Sequence, residues 1–394
     1  MSGQLIMQRR TALGLAGAAV LMGATRASAQ SAGWSKVEEL AAEFIAKGYS
    51  PGVSIAATRN GQSIYAKGFG AANLETGASV SPASVFRIGS ITKQFTGAAL
   101  ALLEAEGKLS LNDRLAKYLP AFPGASEVTL LQMLHHTSGY GNYTNQPDRA
   151  EFYRFAREDF SPQSLEDMMR DKTNPMFTFS PGTDWAYSNT AYVLLGRVIE
   201  RVTGAPYAEF FAKRLFAPAG LIATAVDDEE DIVTNRASGY SAKKGDAKAF
   251  TNAPFISMTV PGAAGNMRST TEDLCRWHTA LLGGKVLPPA ALKRMLEPGL
   301  LNSGKLPQVP DDPTKPTEKK PLSYGLGLFT RDVEGRKFVE HGGGIFGFIS
   351  ALGSFPAEKI SVSVLTNSDA GEREGYMAAQ KALVAAANRA ALGL

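Results

Sequence analysis

Ser90 and Lys93 stand three residues apart at the start of a helical pattern, a spacing that puts a hydroxyl and an amine on one face. At about 1.5 Å of rise per residue the two side chains lie one above the other. A hydroxyl with an amine held against it is the minimum for an activated nucleophile. The S-x-x-K pattern recurs by chance, so its weight depends on its company. A second group, Tyr187-Ser188-Asn189, follows the turn Ser180-Pro181-Gly182 and precedes a helical pattern with Leu195, Val198, Ile199 and Val202 on one face. Tyrosine can shuttle a proton where nearby cations lower its pKa, and asparagine can hold an amide and orient the lysine. Taken alone, this tripeptide reads as a helix-capping loop. A third group, His341-Gly342-Gly343-Gly344, ends a strand pattern. Its glycines would let another backbone approach closely, and an N–H near Gly344 paired with that of Ser90 would make an oxyanion hole. Taken alone, it reads as a tight turn with a solvent-facing histidine.

The elements that must position these groups are legible from periodicity. A helical pattern runs from Ser35 to Lys47, then strand-like runs cover Val53 to Thr58 and Ser63 to Phe69, with the hairpin signal Asn60-Gly61 between them. The helix beginning near Ser90 carries Phe95, Ala99, Leu102 and Leu103 on one stripe and meets a terminating glycine at Gly107. Helices and loops follow to about residue 260. Strand patterns return at Leu326 to Phe329, Phe338 to His341, Phe348 to Leu352 and Ile360 to Leu365, before a final helix from about Arg373 to Ala391. The sheet is therefore built from both ends of the chain, about 30–89 and 262–394, with a helical region, about 90–261, inserted between. Residues 305–321 hold five prolines and read as a polar, mobile loop.

Composition sets the outer bounds. With 394 residues, 44% hydrophobic and 20% charged, the chain has ample apolar material for a large core. Arg9 and Arg10 precede an apolar run from Ala12 to Ala24, and Ala27-Ser28-Ala29 has the form of a cleavage site. Residues 1–29 are thus expected to be a secretory signal, the paired arginines suggesting the twin-arginine route, with the mature protein periplasmic or secreted and not inserted in the membrane. The formal charge of +4 falls to +1 once Arg9, Arg10 and Arg26 leave with that segment, so nothing points to nucleic acid. Cys275 is the one cysteine, so no intrachain disulfide can form. Four histidines without H-E-x-x-H or C-x-x-C spacing argue against a metal site, and no cofactor is expected.

The order S-x-x-K, Y-x-N, H-x-G closely resembles the serine β-lactamase and penicillin-binding superfamily. Within it the likeness is to the class C β-lactamase branch, with its D-alanyl-D-alanine carboxypeptidases, D-aminopeptidases and β-lactamase-like esterases. Further stretches agree: Phe86-Arg87-Ile88-Gly89 before the serine, His136-Thr137-Ser138-Gly139, Pro261 to Leu274 with Gly262, Gly265, Ser269 and Asp273, and H-G-G-G-I-F-G-F from His341 to Phe348. The resemblance covers roughly residues 35 to 390. It implies an α/β fold, an antiparallel sheet flanked by helices plus an all-helical region, with the active site at the junction. It also implies catalytic roles for Ser90 as nucleophile and for Lys93 and Tyr187, which would share the general base and acid work, either of them taking the first proton. Asn189, His341 and Gly343 would bind substrate, and the N–H groups of Ser90 and Gly344 would form the oxyanion hole. Many relatives carry threonine where this chain has Gly342, and lysine where it has His341. The first change removes a hydroxyl, and the second replaces a fixed charge by a group near half-protonation. Both favour an ester or an uncommon amide over a β-lactam or a D-Ala-D-Ala terminus. The alternatives are a β-lactamase or carboxypeptidase and, in another class, a penicillin-binding sensor without turnover. His135, His136, Trp277, His278 and Cys275 read as structural, and Ser269 with Glu272 reads as a capping box.

Overall fold

The computed structural model describes residues 32–246, 248–310, 315–369 and 373–394. The expected export signal, residues 1–29, lies outside them. Along strand β1 (Gly52–Arg59), Val53, Ile55 and Ala57 alternate with Ser54, Ala56 and Thr58, and both sets are buried. Alternation sends the two sets to opposite faces, so both faces are covered. Strand β2 (Gln62–Gly70) returns through Asn60 at φ 52° and Gly61 at φ 74°, the left-handed pair that suits the strands' twist.

The other strands come from the far end of the chain: β3 (Phe329–Val333), β4 (Arg336–Ile345), β5 (Phe348–Phe355) and β6 (Ile360–Thr366). The sheet runs β3-β4-β5-β6-β1-β2 with every pairing antiparallel. The strand expected at Leu326 begins only at Phe329. Gly327, at φ +83°, presses against the backbone of Lys93 and Gln94, so this stretch is held by a helix and not by the sheet.

The helices that frame the site are α1 (residues 32–46), α2 (Thr92–Ala105), α3 (Asn189–Thr203), α4 (Thr271–Leu282) and α5 (Tyr376–Leu392). One sheet face packs Val53, Ile55, Val362 and Val364 against Val37, Ala41 and Phe44 of α1 and Tyr376, Leu383 and Ala387 of α5. The other face is made of small residues, so α4 comes close: Cys275 Sγ lies 3.5 Å from Ala56 O, and Thr271 Oγ1 lies 3.0 Å from Ser54 Oγ. The cap of α4 is Thr270, whose hydroxyl accepts from the Asp273 N–H, one residue later than the Ser269–Glu272 box expected. Ser269 instead closes a short strand, Met267–Ser269, that pairs with Phe86–Arg87 ahead of Ser90.

Helix α2 is buried all round from Thr92 to Leu103, as suits a helix at the centre of a core. Within residues 305–321, Gln308–Pro310 pairs with Lys319–Pro321, while residues 311–314 lie outside the described residues.

Candidate active site

Ser90 sits in one tight turn, Gly89–Ile91, between the strand Phe86–Arg87 and helix α2. Gly89 has φ +51°, and a Cβ there would stand 2.8 Å from Gly344 O and 2.9 Å from Gly344 N. A Cβ on Gly343 would meet Ile88 O at 2.0 Å and Ser90 N at 2.9 Å. Real Cβ atoms do not approach so closely, so both positions require glycine if strand and turn are to touch. Strand β3 pairs with β4 only as far as Glu340, so residues 341–345 present a free strand edge to the serine turn among the described residues. Free backbone N–H groups on such an edge are what an oxyanion hole is made from. Ser350 Oγ donates to Ile88 O at 2.8 Å and locks β5 to the same turn.

Lys93 is fully buried. Its Nζ lies 3.2 Å from Ser90 Oγ, 2.7 Å from Asn189 Oδ1 and 2.8 Å from Ala264 O. No carboxylate pairs with it among the described residues. Burial alone pushes its pKa well below the ordinary lysine value. A neutral amine has two protons and one lone pair. That matches two carbonyl acceptors and one incoming hydroxyl proton. The Tyr187 and Tyr192 rings lie 4.7 and 5.4 Å from Nζ. Burial raises the Tyr187 phenol above its usual value, and a hydrogen bond with Ser90 opposes part of that rise.

Tyr187 and Asn189 are carried by the loop that Ser188 turns into α3, its hydroxyl accepting from Ala191 N–H at 3.2 Å. This loop is clamped by His136, which holds φ 59°. His136 O accepts from Ala186 N at 3.1 Å, its Nδ1 accepts from Ser188 N at 3.1 Å, and its ring lies 4.4 Å from that of Tyr187. The accepted bond fixes the neutral tautomer, and burial with the nearby Lys93 keeps the ring unprotonated.

His341 is placed differently from expectation. It is 3% exposed, its Nε2 lies 3.2 Å from the Tyr324 hydroxyl, and its Nδ1 lies against Gly342 O. Burial, aided by Lys93, pushes its pKa down to about 3. The half-protonated ring expected from the sequence is therefore a neutral one beneath the site. Gly342 is exposed, lacks a left-handed φ, and would seat a Cβ at an ordinary 3.4 Å from Ser350 O. His278, read as structural, bridges Gln94 Oε1 at 2.8 Å and Ser354 Oγ at 2.7 Å, tying α2 to the sheet through α4.

Ser90, Asn189 and Gly344 open onto a cleft of about 890 Å³, walled by Tyr143, Phe152, Tyr153, Ile345 and Phe346. The sequence reading missed Ala264 O, since a backbone acceptor has no residue-type signature. It also missed Tyr192, although its place three residues after Asn189 put it on the same helix face.

The Beta-lactamase family model matches residues 37–387. A penicillin-binding protein of Bacillus subtilis (strain 168) is 27% identical over 331 residues, 80% of this chain and 68% of its own length. The chain spans between 62% and 68% of the length of the curated relatives it matches first. Among solved structures, the D-stereospecific amidohydrolase from Streptomyces sp. is similar at TM-score 0.69 and 29% identity, over 84% of this chain and 94% of that one. The D-amino acid amidase from Ochrobactrum anthropi SV3, in complex with L-phenylalanine amide, is similar at TM-score 0.73 and 25% identity, over 90% and 97%. This chain belongs to the Beta-lactamase family and is a serine hydrolase of the β-lactamase/transpeptidase fold.

Proposed function

We propose that the chain hydrolyses an ester or amide through an acyl-enzyme on Ser90, with amides of amino acids the favoured class. The observation that carries this reading is a fully buried Lys93, without a carboxylate partner among the described residues, 3.2 Å from Ser90 Oγ. The neutral amine takes the Ser90 proton as Oγ bonds to the substrate carbonyl carbon. The N–H groups of Ser90 and Gly344 hold the resulting oxyanion. Tyr187, its phenol kept neutral by burial, gives its proton to the departing amine or alkoxide as the carbonyl re-forms, and is re-protonated from Lys93. Water then attacks the ester by the reverse proton route. Asn189 Oδ1 orients Lys93, leaving its amide group toward Thr144 Oγ1 at 3.4 Å and the cleft.

Two features favour a substrate without a carboxylate beside the scissile bond. His341 is neutral and buried, and residue 342 has no hydroxyl. The similar proteins described as D-stereospecific amidohydrolase and D-amino acid amidase support an amide. We further propose export, on the strength of residues 1–29. Profiling the purified mature protein against p-nitrophenyl esters, D-amino-acid amides, a D-Ala-D-Ala peptide and nitrocefin tests the reading. Turnover of nitrocefin or the D-Ala-D-Ala peptide above all neutral substrates overturns it. Labelling by a fluorescent penicillin without turnover of any substrate favours the sensor.

Gly342→Thr tests the carboxylate argument directly. A hydroxyl restored there is expected to raise kcat/KM for nitrocefin relative to a neutral ester by about tenfold, the worth of one hydrogen bond to a charged group. The space around Gly342 predicts an unchanged Tm. An unchanged ratio in a stable variant means that residue 342 does not face a substrate carboxylate.

A further inference from the structure

Asp369 lines the same cleft as Ser90, and it is the one carboxylate to do so among the described residues. It follows β6, whose end is pinned by Asn367. The Asn367 Nδ2 donates to Ala71 O at 3.0 Å and Ser238 O at 3.1 Å, and its Oδ1 accepts from Ser50 Oγ at 3.2 Å. Backbone bonds continue the anchoring, with Asp369 N donating to Tyr240 O at 3.0 Å. One carboxylate oxygen, Oδ2, accepts from Gly347 N at 2.9 Å at the tip of the β4–β5 hairpin. The other has no partner among the described residues. Arg149 and Lys244 also line the cleft, and Arg149 Nε donates to the Tyr153 hydroxyl at 2.8 Å.

The hairpin that holds Asp369 is the one that carries Gly344. From Gly344 to the hairpin tip is two to three residues, roughly 7–10 Å at about 3.3 Å per residue. Between them Phe346 packs edge-on against Phe152 at 5.7 Å and against Tyr153 at 5.2 Å. The Gly344 side of the cleft thus joins an aromatic wall to one carboxylate among the described residues.

We infer that Asp369 selects substrates whose acyl half carries a protonated amine. An apolar chain on the acyl half lies against Phe346, and the ammonium pairs with the free oxygen. This rests on the acyl-enzyme reading above and names its substrate class as cationic amino-acyl derivatives.

The test is a ratio. kcat/KM is measured for matched pairs that differ only by the amine: phenylalanine p-nitroanilide (D and L) against 3-phenylpropionyl p-nitroanilide, and p-nitrophenyl 6-aminohexanoate against p-nitrophenyl hexanoate. The first pair places the charge next to the scissile carbonyl and the second several carbons away, so the pair that responds gives its position. In the wild type the amine is expected to favour at least one pair by about ten- to a hundredfold, falling as salt is added. Asp369→Asn keeps an acceptor for Gly347 N–H and removes only the charge, so the ratio should fall toward one. Asp369→Lys should invert it, favouring a succinyl ester over its neutral counterpart. Tm is followed for each variant. A ratio near one in the wild type, or one unmoved by Asp369→Asn in a stable protein, overturns the inference. Failure of the acyl-enzyme reading would show separately, as neutral-ester hydrolysis that survives Ser90→Ala.

Discussion

Ser90→Ala is expected to lower kcat/KM by about 10⁴-fold or more for every substrate the protein accepts, the scale seen when a nucleophile is removed. The fold should survive, because Ser90 gives its backbone to the turn and only its hydroxyl to Lys93 and Tyr187. The measurement is steady-state hydrolysis of a p-nitrophenyl ester beside a thermal melt, with intact-protein mass spectrometry for the acyl adduct. The variant should form no adduct. More than a tenth of wild-type activity in a clean preparation would mean another nucleophile.

Nearly as large an effect is expected from the proton-transfer pair. Lys93→Ala and Tyr187→Phe should each lower kcat by about 10²–10⁴-fold, the usual worth of positioned acid–base catalysis. The double variant should be little worse than the poorer single one, because in the proposed mechanism the two groups pass one proton between them. Losses that multiply would show independent roles. Lys93→Arg should not rescue, since a guanidinium stays charged and cannot accept the Ser90 proton.

The pH dependence has a definite sign. Burial lowers the pKa of Lys93 in the folded protein, so activity should rise with pH through that lowered value. The unfolded chain holds a proton on Lys93 up to about pH 10.4 while the folded chain has released it, so the unfolded state binds more protons. Stability therefore gains from this site as pH rises from the lowered folded value to about 10.4, and loses as pH falls. In Lys93→Met that part of the slope of Tm against pH should vanish. His135, His136, His278 and His341 are also held below the ordinary imidazole value by burial and add a slope of the same sign, but theirs ends at about pH 6.5, so Lys93→Met is to be read above that pH.

What could be read from the sequence was whatever resides in side-chain type and spacing. Asn60-Gly61 turned out to be the left-handed pair of a hairpin, and Ser90, Lys93, Tyr187 and Asn189 converge as their motifs implied. The unread part depends on long-range packing. His341 could not be known as neutral, because that state comes from burial in the folded protein, aided by Lys93 from far away in the chain. Ala264 contributes only a carbonyl, and Asp369 belongs to no motif, so neither left a mark in the sequence. His136 is structural, as its sequence context implies, and is buried against Tyr187. Its left-handed backbone and its two bonds to the Tyr187 loop are features of the fold alone.

The contact of Gly89 with Gly344 joins positions near opposite ends of the described chain, and the bond from Ser350 to Ile88 spans 262 residues. Contacts of such sequence separation are slow to form, because a long loop must close first. The serine and lysine are neighbours in the chain and need no long loop to meet, whereas Gly344, the second oxyanion donor in the proposed mechanism, can reach Ser90 only when the last strands dock. Refolding should therefore pass through a species with the nucleophile assembled and no capacity to acylate. Covalent labelling would then be a clock for the final closure of the chain, running behind any signal from helix formation.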